Sequence, residues 1–398
     1  MLSSFVTPLL AVIIAAQVLL VAYLLSLAAL AVVARPPYLP LPAGRRKFCV
    51  LVPAHDEEAV VARLLRSLLH LDYSRDLFDV CVVADNCSDS TAQIARSFGV
   101  RLYERFDTSE QAKGYALRWL LKQLEQEHRT YDAYVVVDAD SVVAPNFLRA
   151  MDARLEHGAH VIQAYYTVLN PAASALAALR TTALAAIHYL RPLGRSQLGL
   201  SAGLKGNGMC FSADVLKRFA WRWFTLAEDV EFHLALVEQG IGVEFAPETW
   251  VKGDMPVTLK QATSQNARWE RGRLELLRTR VPRLLWTGLR QRRWLLVDAT
   301  VEQVIPPLSV PFAVAVAATL LAIVLGSPSL ALVASASLAG YVVYLLVGLA
   351  LVRAPLRMYA SLSMAPIYVA WKLGVYVQSF LASRTTVWVR TARTPTAG

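Results

Sequence analysis

The sequence predicts an α/β domain of Rossmann-like type set between membrane-spanning helices. Three observations predict it. Apolar residues make up 56% of the 398-residue chain, too many for one soluble domain, and the excess lies at both ends. Between the ends, short apolar runs alternate with helical stretches. An acidic cluster follows each of three such runs.

The elements follow in chain order. Residues 5–34 form an uncharged apolar run, longer than the ~20 residues that cross a bilayer. It lacks the basic start and the short apolar stretch of a cleaved leader, so a retained anchor at 1–34 is expected. Arg45, Arg46 and Lys47 follow it, which places the N-terminus outside and the next domain in the cytoplasm. Over 45–256, Phe48-Cys-Val-Leu-Val52, Val80-Cys-Val-Val83 and Tyr134-Val-Val-Val137 read as buried strands. Helical stretches at 57–69, 90–98 and 114–127 separate them, and this repetition implies a doubly wound parallel sheet. Residues 257–303 read as amphipathic interface helices. Residues 304–325 and 330–352 are each of spanning length and flank a Gly326-Ser-Pro-Ser turn, so 304–352 reads as a transmembrane hairpin. In 353–398, the stretch 358–381 contains Pro366 and Lys372 and precedes a basic tail. It is expected to lie along the cytoplasmic interface or to re-enter, giving three crossings.

The formal charge of +10, from 40 Lys+Arg against 30 Asp+Glu, suits anionic lipid or phosphate-bearing substrates. With apolar ends, nucleic acid is not an expected partner. Cys49, Cys81, Cys87 and Cys210 show no metal-ligand spacing, as in a reduced cytosolic domain.

Open α/β sheets bind ligands at the carboxyl ends of strands, where the acidic clusters stand. Asp138-Ala-Asp140 can hold a hard divalent cation and through it a diphosphate, or it can simply form a turn. Asp85 comes directly off a strand end, where a carboxylate can accept an imide N–H. Asp56 and Glu57 lie at the neighbouring strand end, and Glu58 favours a helix N-terminus. Glu228 and Asp229 begin a helical stretch, where Asp229 serves either as a cap or as a general base. Gln265, Arg268 and Trp269 share one helix face. Arg offers a fork of donors to a diphosphate and Trp a flat surface for a sugar. Arg271, Arg273, Arg278, Arg280 and Arg283 are read as facing anionic lipid.

Six motifs run in this order: Pro53-Ala-His-Asp-Glu57, Asp85-Asn-Cys-Ser-Asp89, Lys113-Gly-Tyr-Ala-Leu117, Asp138-Ala-Asp140, Glu228-Asp229 and Gln265-x-x-Arg-Trp269. In this the chain resembles membrane-embedded family 2 glycosyltransferases, a group that includes the cellulose, hyaluronan and poly-N-acetylglucosamine synthases. Ceramide glucosyltransferase looks similar. Trp388-Val-Arg-Thr391-Ala-Arg393 loosely resembles a tail segment of hyaluronan synthases. The resemblance implies a GT-A fold, a UDP-sugar donor, Mg²⁺ or Mn²⁺, and inversion at the anomeric carbon. It assigns Asp56, Glu57, Asp85, Lys113, Asp138, Gln265 and Arg268 to the donor, and Asp140 with Asp138 to the metal. Asp229, with Glu228 beside it, becomes the base. Trp269, Gly206 and Asn207 fall to the acceptor.

The leading expectation is glycan extension by a multi-pass plasma-membrane protein with a cytoplasmic catalytic domain. Single transfer to a lipid such as ceramide, diacylglycerol or polyprenyl phosphate is the alternative. An inert receptor or scaffold is disfavoured, because unpaired carboxylates at strand ends serve chemistry rather than folding.

Overall fold

The computed structural model describes residues 2–35 and 45–381. The chain opens with the uncharged helix α1 (Leu2–Val33) and enters the central domain at β1 (Phe48–Ala54). There follow α2 (Val61–Leu69), β2 (Phe78–Asp85), α3 (Thr91–Ser97), β3 (Arg101–Arg105), α4 (Lys113–Gln126), β4 (Ala133–Val136), β5 (Ser141–Val143), α5 (Phe147–Glu156) and β6 (Val161–Val168). Next come α6 (Ala175–Leu184), a π-helical turn (Ala185–Leu190), α7 (Arg191–Ser196), β7 (Met209–Ser212), α8 (Ala213–Phe219), α9 (Glu228–Glu238) and β8 (Glu244–Gly253). The remainder is helical: α10 (Leu259–Thr279), α11 (Val281–Arg290), α12 (Trp294–Val304), α13 (Ser309–Val324), α14 (Pro328–Leu351), α15 (Leu356–Ala360) and α16 (Ala365–Leu381).

Strand alternation sends side chains of β1 to two cores. Phe48, Val50 and Val52 pack with Leu64, Leu65 and Leu68 of α2. Cys49 and Leu51 face the other way, toward Leu117 and Leu120 of α4. That second core continues without a break into Leu24 and Ala28 of α1 and Tyr341 and Tyr344 of α14. The sheet domain and the apolar helices therefore share one interior.

The eight strands run in the order β3-β2-β1-β4-β7-β6-β8-β5. The first four are parallel, as the sequence predicts. Beyond them the sheet is mixed, which corrects the wholly parallel expectation. The four-residue β7 inserts antiparallel between β4 and β6, and β5 pairs antiparallel with β8. These strands are too short, or too bulged at Ala164 and Tyr165, to announce themselves by a long apolar run.

Among the described residues two helices are long and apolar enough to cross a membrane, Val6–Val33 and Pro328–Leu351, or three spans result if α12 and α13 count as one bent by 63°. Helix α13 starts at Ser309, after Pro306 and Pro307, so the hairpin expected from 304 begins five residues later; proline cannot continue α12. Helix α16 packs along α10. Its Lys372, the charge that speaks against crossing, pairs with Glu270 at 2.9 Å and donates to Asn266 at 2.6 Å. The 388–393 tail lies outside the described residues.

Candidate active site

The site is built at the carboxyl ends of the parallel strands. After β1, His55 Nδ1 lies 2.7 Å from the Asp85 carbonyl, joining the first two strand ends. Asp85 is buried, and its carboxylate accepts from Arg105 at 2.6 Å and from the Asn86 amide at 3.2 Å. Asp56 adopts φ +52° and turns to the next loop, accepting from the Ser88 N–H at 2.7 Å and the Asp89 N–H at 3.3 Å. Asp56 thus braces the Asp85 loop, while Glu57 and Asp85 border the cavity described below. Glu57 donates its backbone N–H to Thr91 Oγ1 at 2.7 Å.

Asp138 and Asp140 leave the end of β4. Asn207, fully buried, holds this loop from behind: its amide oxygen accepts the Asp138 N–H at 3.1 Å and its amide nitrogen donates to Ser141 Oγ at 2.8 Å. Its neighbour Gly206 does face the cavity. Lys113, at the start of α4, joins the parts. Its ammonium pairs with Asp138 and donates to the Gly206 carbonyl. Burial disfavours this charge, but Asp138, Glu228 and Asp229 outweigh burial and raise the Lys113 pKa. The Lys113-Gly pair also has a steric reason. A Cβ on Gly114 would lie 2.1 Å from the Trp223 carbonyl, so glycine lets α4 meet the loop that leads into Glu228 and Asp229.

Glu228 and Asp229 open α9, where Ala227 is the N-cap residue and no side chain caps the helix. Asp229 lies inside the first turn, where its carboxylate accepts backbone N–H bonds from Val230 and from its own residue. Burial raises the pKa of both carboxyls; Asp229 further raises that of Glu228, and Lys113 draws both down. The Asp229 carboxylate is so near the Gly206 turn that a Cβ there would stand 3.3 Å from Oδ2. Gly206 also has φ +77°, a conformation costing ~1–2 kcal/mol for an L-residue. Gly206→Ala is accordingly expected to lower transfer at least tenfold with a small drop in Tm. Wild-type turnover in that variant would show that the loop plays no part in catalysis.

Helix α10 lies across the top. Gly272 lets it touch the α9 entrance, since a Cβ there would meet Ala227 Cβ at 2.9 Å. Gln265, Arg268 and Trp269 all line the cavity, and the buried Gln265 amide oxygen has no hydrogen-bond partner. Trp269 is 37% exposed. Three arginines assigned to lipid are instead engaged with protein. Arg273 donates to the Ile305 carbonyl at 3.0 Å, Arg280 reaches Glu231 at 3.6 Å, and Arg278 stacks on Phe380 at 4.8 Å.

One cavity of about 730 Å³ joins these groups. Its polar lining includes Asp85, Asp138, Asp140, Lys113, Asp229 and Arg268. Its apolar lining includes Leu184, Ile187, Phe312, Leu345, Leu362 and Val369, a wall drawn from α6, the π-helical turn, α13, α14 and the helices after it. A family model described as glycosyltransferase like family 2 matches residues 45–272. The chain belongs to glycosyltransferase family 2.

Similarity to individual proteins of known name is more distant. The probable glycosyltransferase YdaM of Bacillus subtilis is 26% identical over 236 residues, 57% of this chain and 55% of that protein. The beta-monoglucosyldiacylglycerol synthase of Trichormus variabilis is 33% identical over 104 residues, 25% of this chain and 21% of that one. The chain thus spans about half, or less, of the curated relatives it matches. The mannosyltransferase PcManGT from Pyrobaculum calidifontis, solved with GDP-Man and Mn²⁺, shares the fold with a TM-score of 0.61 and 17% identity over 96% of this chain and 99% of that one.

In this glycosyltransferase the residues at the β4 end fit a divalent metal. Asp138 and Asp140 are hard oxygen donors that both line the cavity. Ser141 Oγ donates to Asp140 at 3.2 Å, orienting it. The sequence-based reading missed Lys205, which also lines the cavity and forms no ion pair among the described residues. Burial, with Arg191 and Arg195, presses its pKa down to about 8, against the pull of Glu302 and Asp229. No local pattern marks such a residue, because its neighbours come from other elements.

Proposed function

We propose that this enzyme transfers a sugar with inversion from a UDP-sugar to a hydroxyl of a membrane lipid, at the cytoplasmic face. The observation that carries the acceptor class is that the cavity of the carboxylates also has an apolar wall, to which α13 and α14 contribute Phe312 and Leu345. A soluble acceptor has no use for that wall, whereas an acyl or prenyl chain lying in the bilayer does.

The residues divide the work along the cavity. Asp85 and Glu57 lie where the nucleoside would rest, with Arg105 fixing the Asp85 carboxylate. Gln265 and Arg268 face the diphosphate, Arg268 through its planar fork. Asp138 and Asp140 would hold Mg²⁺ or Mn²⁺, which when bound offsets the charge that builds on the departing diphosphate. Asp229 takes the proton of the acceptor hydroxyl. The hydroxyl oxygen forms its bond to the anomeric carbon as the bond from that carbon to the diphosphate breaks, and the electron pair leaves with UDP. Lys113 keeps Asp138, the Gly206 turn and the base in one frame.

Arg268→Lys preserves charge and loses the bidentate fork. It is expected to weaken UDP and UDP-sugar binding about tenfold and to leave uridine binding near its original value, as read by calorimetry. Equal losses for all three ligands would point to misfolding.

Glycan extension is the second reading, favoured by the partly exposed Trp269, which lines the same cavity as Asp229. One experiment separates the two: purified full-length protein with a panel of radiolabelled UDP-sugars, a divalent metal and a total lipid extract. Label passing into the organic phase supports the lipid acceptor. Label in a large water-soluble product overturns it in favour of the polymer. For topology, the proposal is α1, the bent α12–α13 pair and α14 as three crossings, with α16 held at the cytoplasmic side through Lys372 and Glu270.

A further inference from the structure

Five arginines are almost wholly buried: Arg105, Arg154, Arg180, Arg191 and Arg195. Four of them face an acid, Asp85, Glu248, Glu302 and Asp298 respectively. Arg180 is the exception. It is 4% exposed, and no carboxylate pairs with it among the described residues. One of its terminal nitrogens is out of water with no hydrogen-bond partner. Its guanidinium lies 5.0 Å from the centre of the Trp269 ring, in the electrostatic reach of Tyr166 and Tyr368, and it borders the cavity.

A buried guanidinium left without an acid is costly. The cation–π contact with Trp269 offsets part of that cost and still leaves N–H donors without acceptors. An anion entering the cavity supplies them. The donor diphosphate is better matched to Arg268, which has Glu228, Asp138 and Asp140 around it. Arg180 has none of these acids in its own reach, only Tyr368 and Tyr166, and Tyr166 in turn feels Asp138 and Asp140. Two of its aromatic neighbours, Trp269 and Tyr368, come from α10 and α16. Along the same helix Leu179 and Ala183 continue the apolar wall.

We infer that the acceptor carries a phosphate, and that Arg180, beside Trp269 and between the base and the apolar wall, seats it. The phosphate belongs to a lipid headgroup, with the reacting hydroxyl presented to Asp229 and the chains against α13 and α14. This rests on the lipid acceptor proposed above.

The test uses full-length protein in detergent, the UDP-sugar found by the donor panel, and separate acceptors: diacylglycerol, phosphatidylglycerol and soluble glycerol 3-phosphate. Phosphate-bearing lipid is expected to show at least tenfold higher kcat/KM than diacylglycerol. Arg180→Gln is expected to raise KM for that lipid by ~10–100-fold, the scale of a hydrogen-bonded charge, with the UDP-sugar KM moving less than about twofold. Arg180→Lys, which keeps the charge and guards against a folding artefact, should fall between. Equal use of diacylglycerol, or an Arg180→Gln defect shared by neutral lipid, overturns the inference and leaves the lipid acceptor standing. Glycerol 3-phosphate serving as well as the lipid overturns the headgroup assignment. Transfer to polymer alone removes the lipid acceptor and the inference together.

Discussion

Replacing Asp229 with Asn is expected to lower turnover by ~10²–10⁴, the usual scale of a lost general base, with donor affinity largely kept. The amide is nearly isosteric and cannot take a proton. The carboxylate it replaces is half-buried at the N-terminal turn of α9, close to the Gly206 turn, and both Lys113 and Lys205 act on it. Burial raises its pKa. Transfer needs the carboxylate form, so the wild-type rate falls as pH drops through that raised value, above the ~4 of an ordinary Asp. In Asp229→Asn that acid limb should vanish from the residual rate. A collapse of UDP-sugar affinity instead would make Asp229 a binding or structural residue.

Asp140→Ala is expected to abolish transfer, a loss of at least ~10²-fold given the several kcal/mol that a bound cation contributes at a departing diphosphate. Excess chelator should do the same to the wild type, with activity returning on addition of Mg²⁺ or Mn²⁺. Tm should hardly move, because the Asp138 backbone beside it is secured by Asn207 rather than by the Asp140 carboxylate. Full activity in excess chelator would remove the metal from the account.

The parts of this protein that local pattern encodes were legible. Buried strands such as Phe48–Ala54 and Phe78–Asp85 are contiguous apolar runs, and their carboxyl ends carry the acids. The rule that open α/β sheets bind ligands there therefore points to Asp85, Asp138 and Asp140, which line one cavity. The helix of Gln265, Arg268 and Trp269 was equally local. What pattern cannot encode is the partner brought in from afar. Lys372 looked like a costly charge in an apolar segment until Glu270 was placed against it. Arg273, Arg278 and Arg280 looked like a lipid-facing fringe until Ile305, Phe380 and Glu231 met them. Asn207 looked like a residue at the acceptor and proved to be the brace behind Asp138. Arg180 gave no signal at all, since its meaning is the acid missing from its surroundings. The antiparallel strands escaped for a different reason: β5 has three residues and β7 four, too few for a periodicity.

The central claim is a single displacement in which Asp229 deprotonates the acceptor while the diphosphate leaves from the opposite face. The anomeric configuration of the purified product, read by NMR from its C1–H1 coupling, tests this most directly. The account predicts a configuration opposite to that of the sugar in the donor; retention would contradict it.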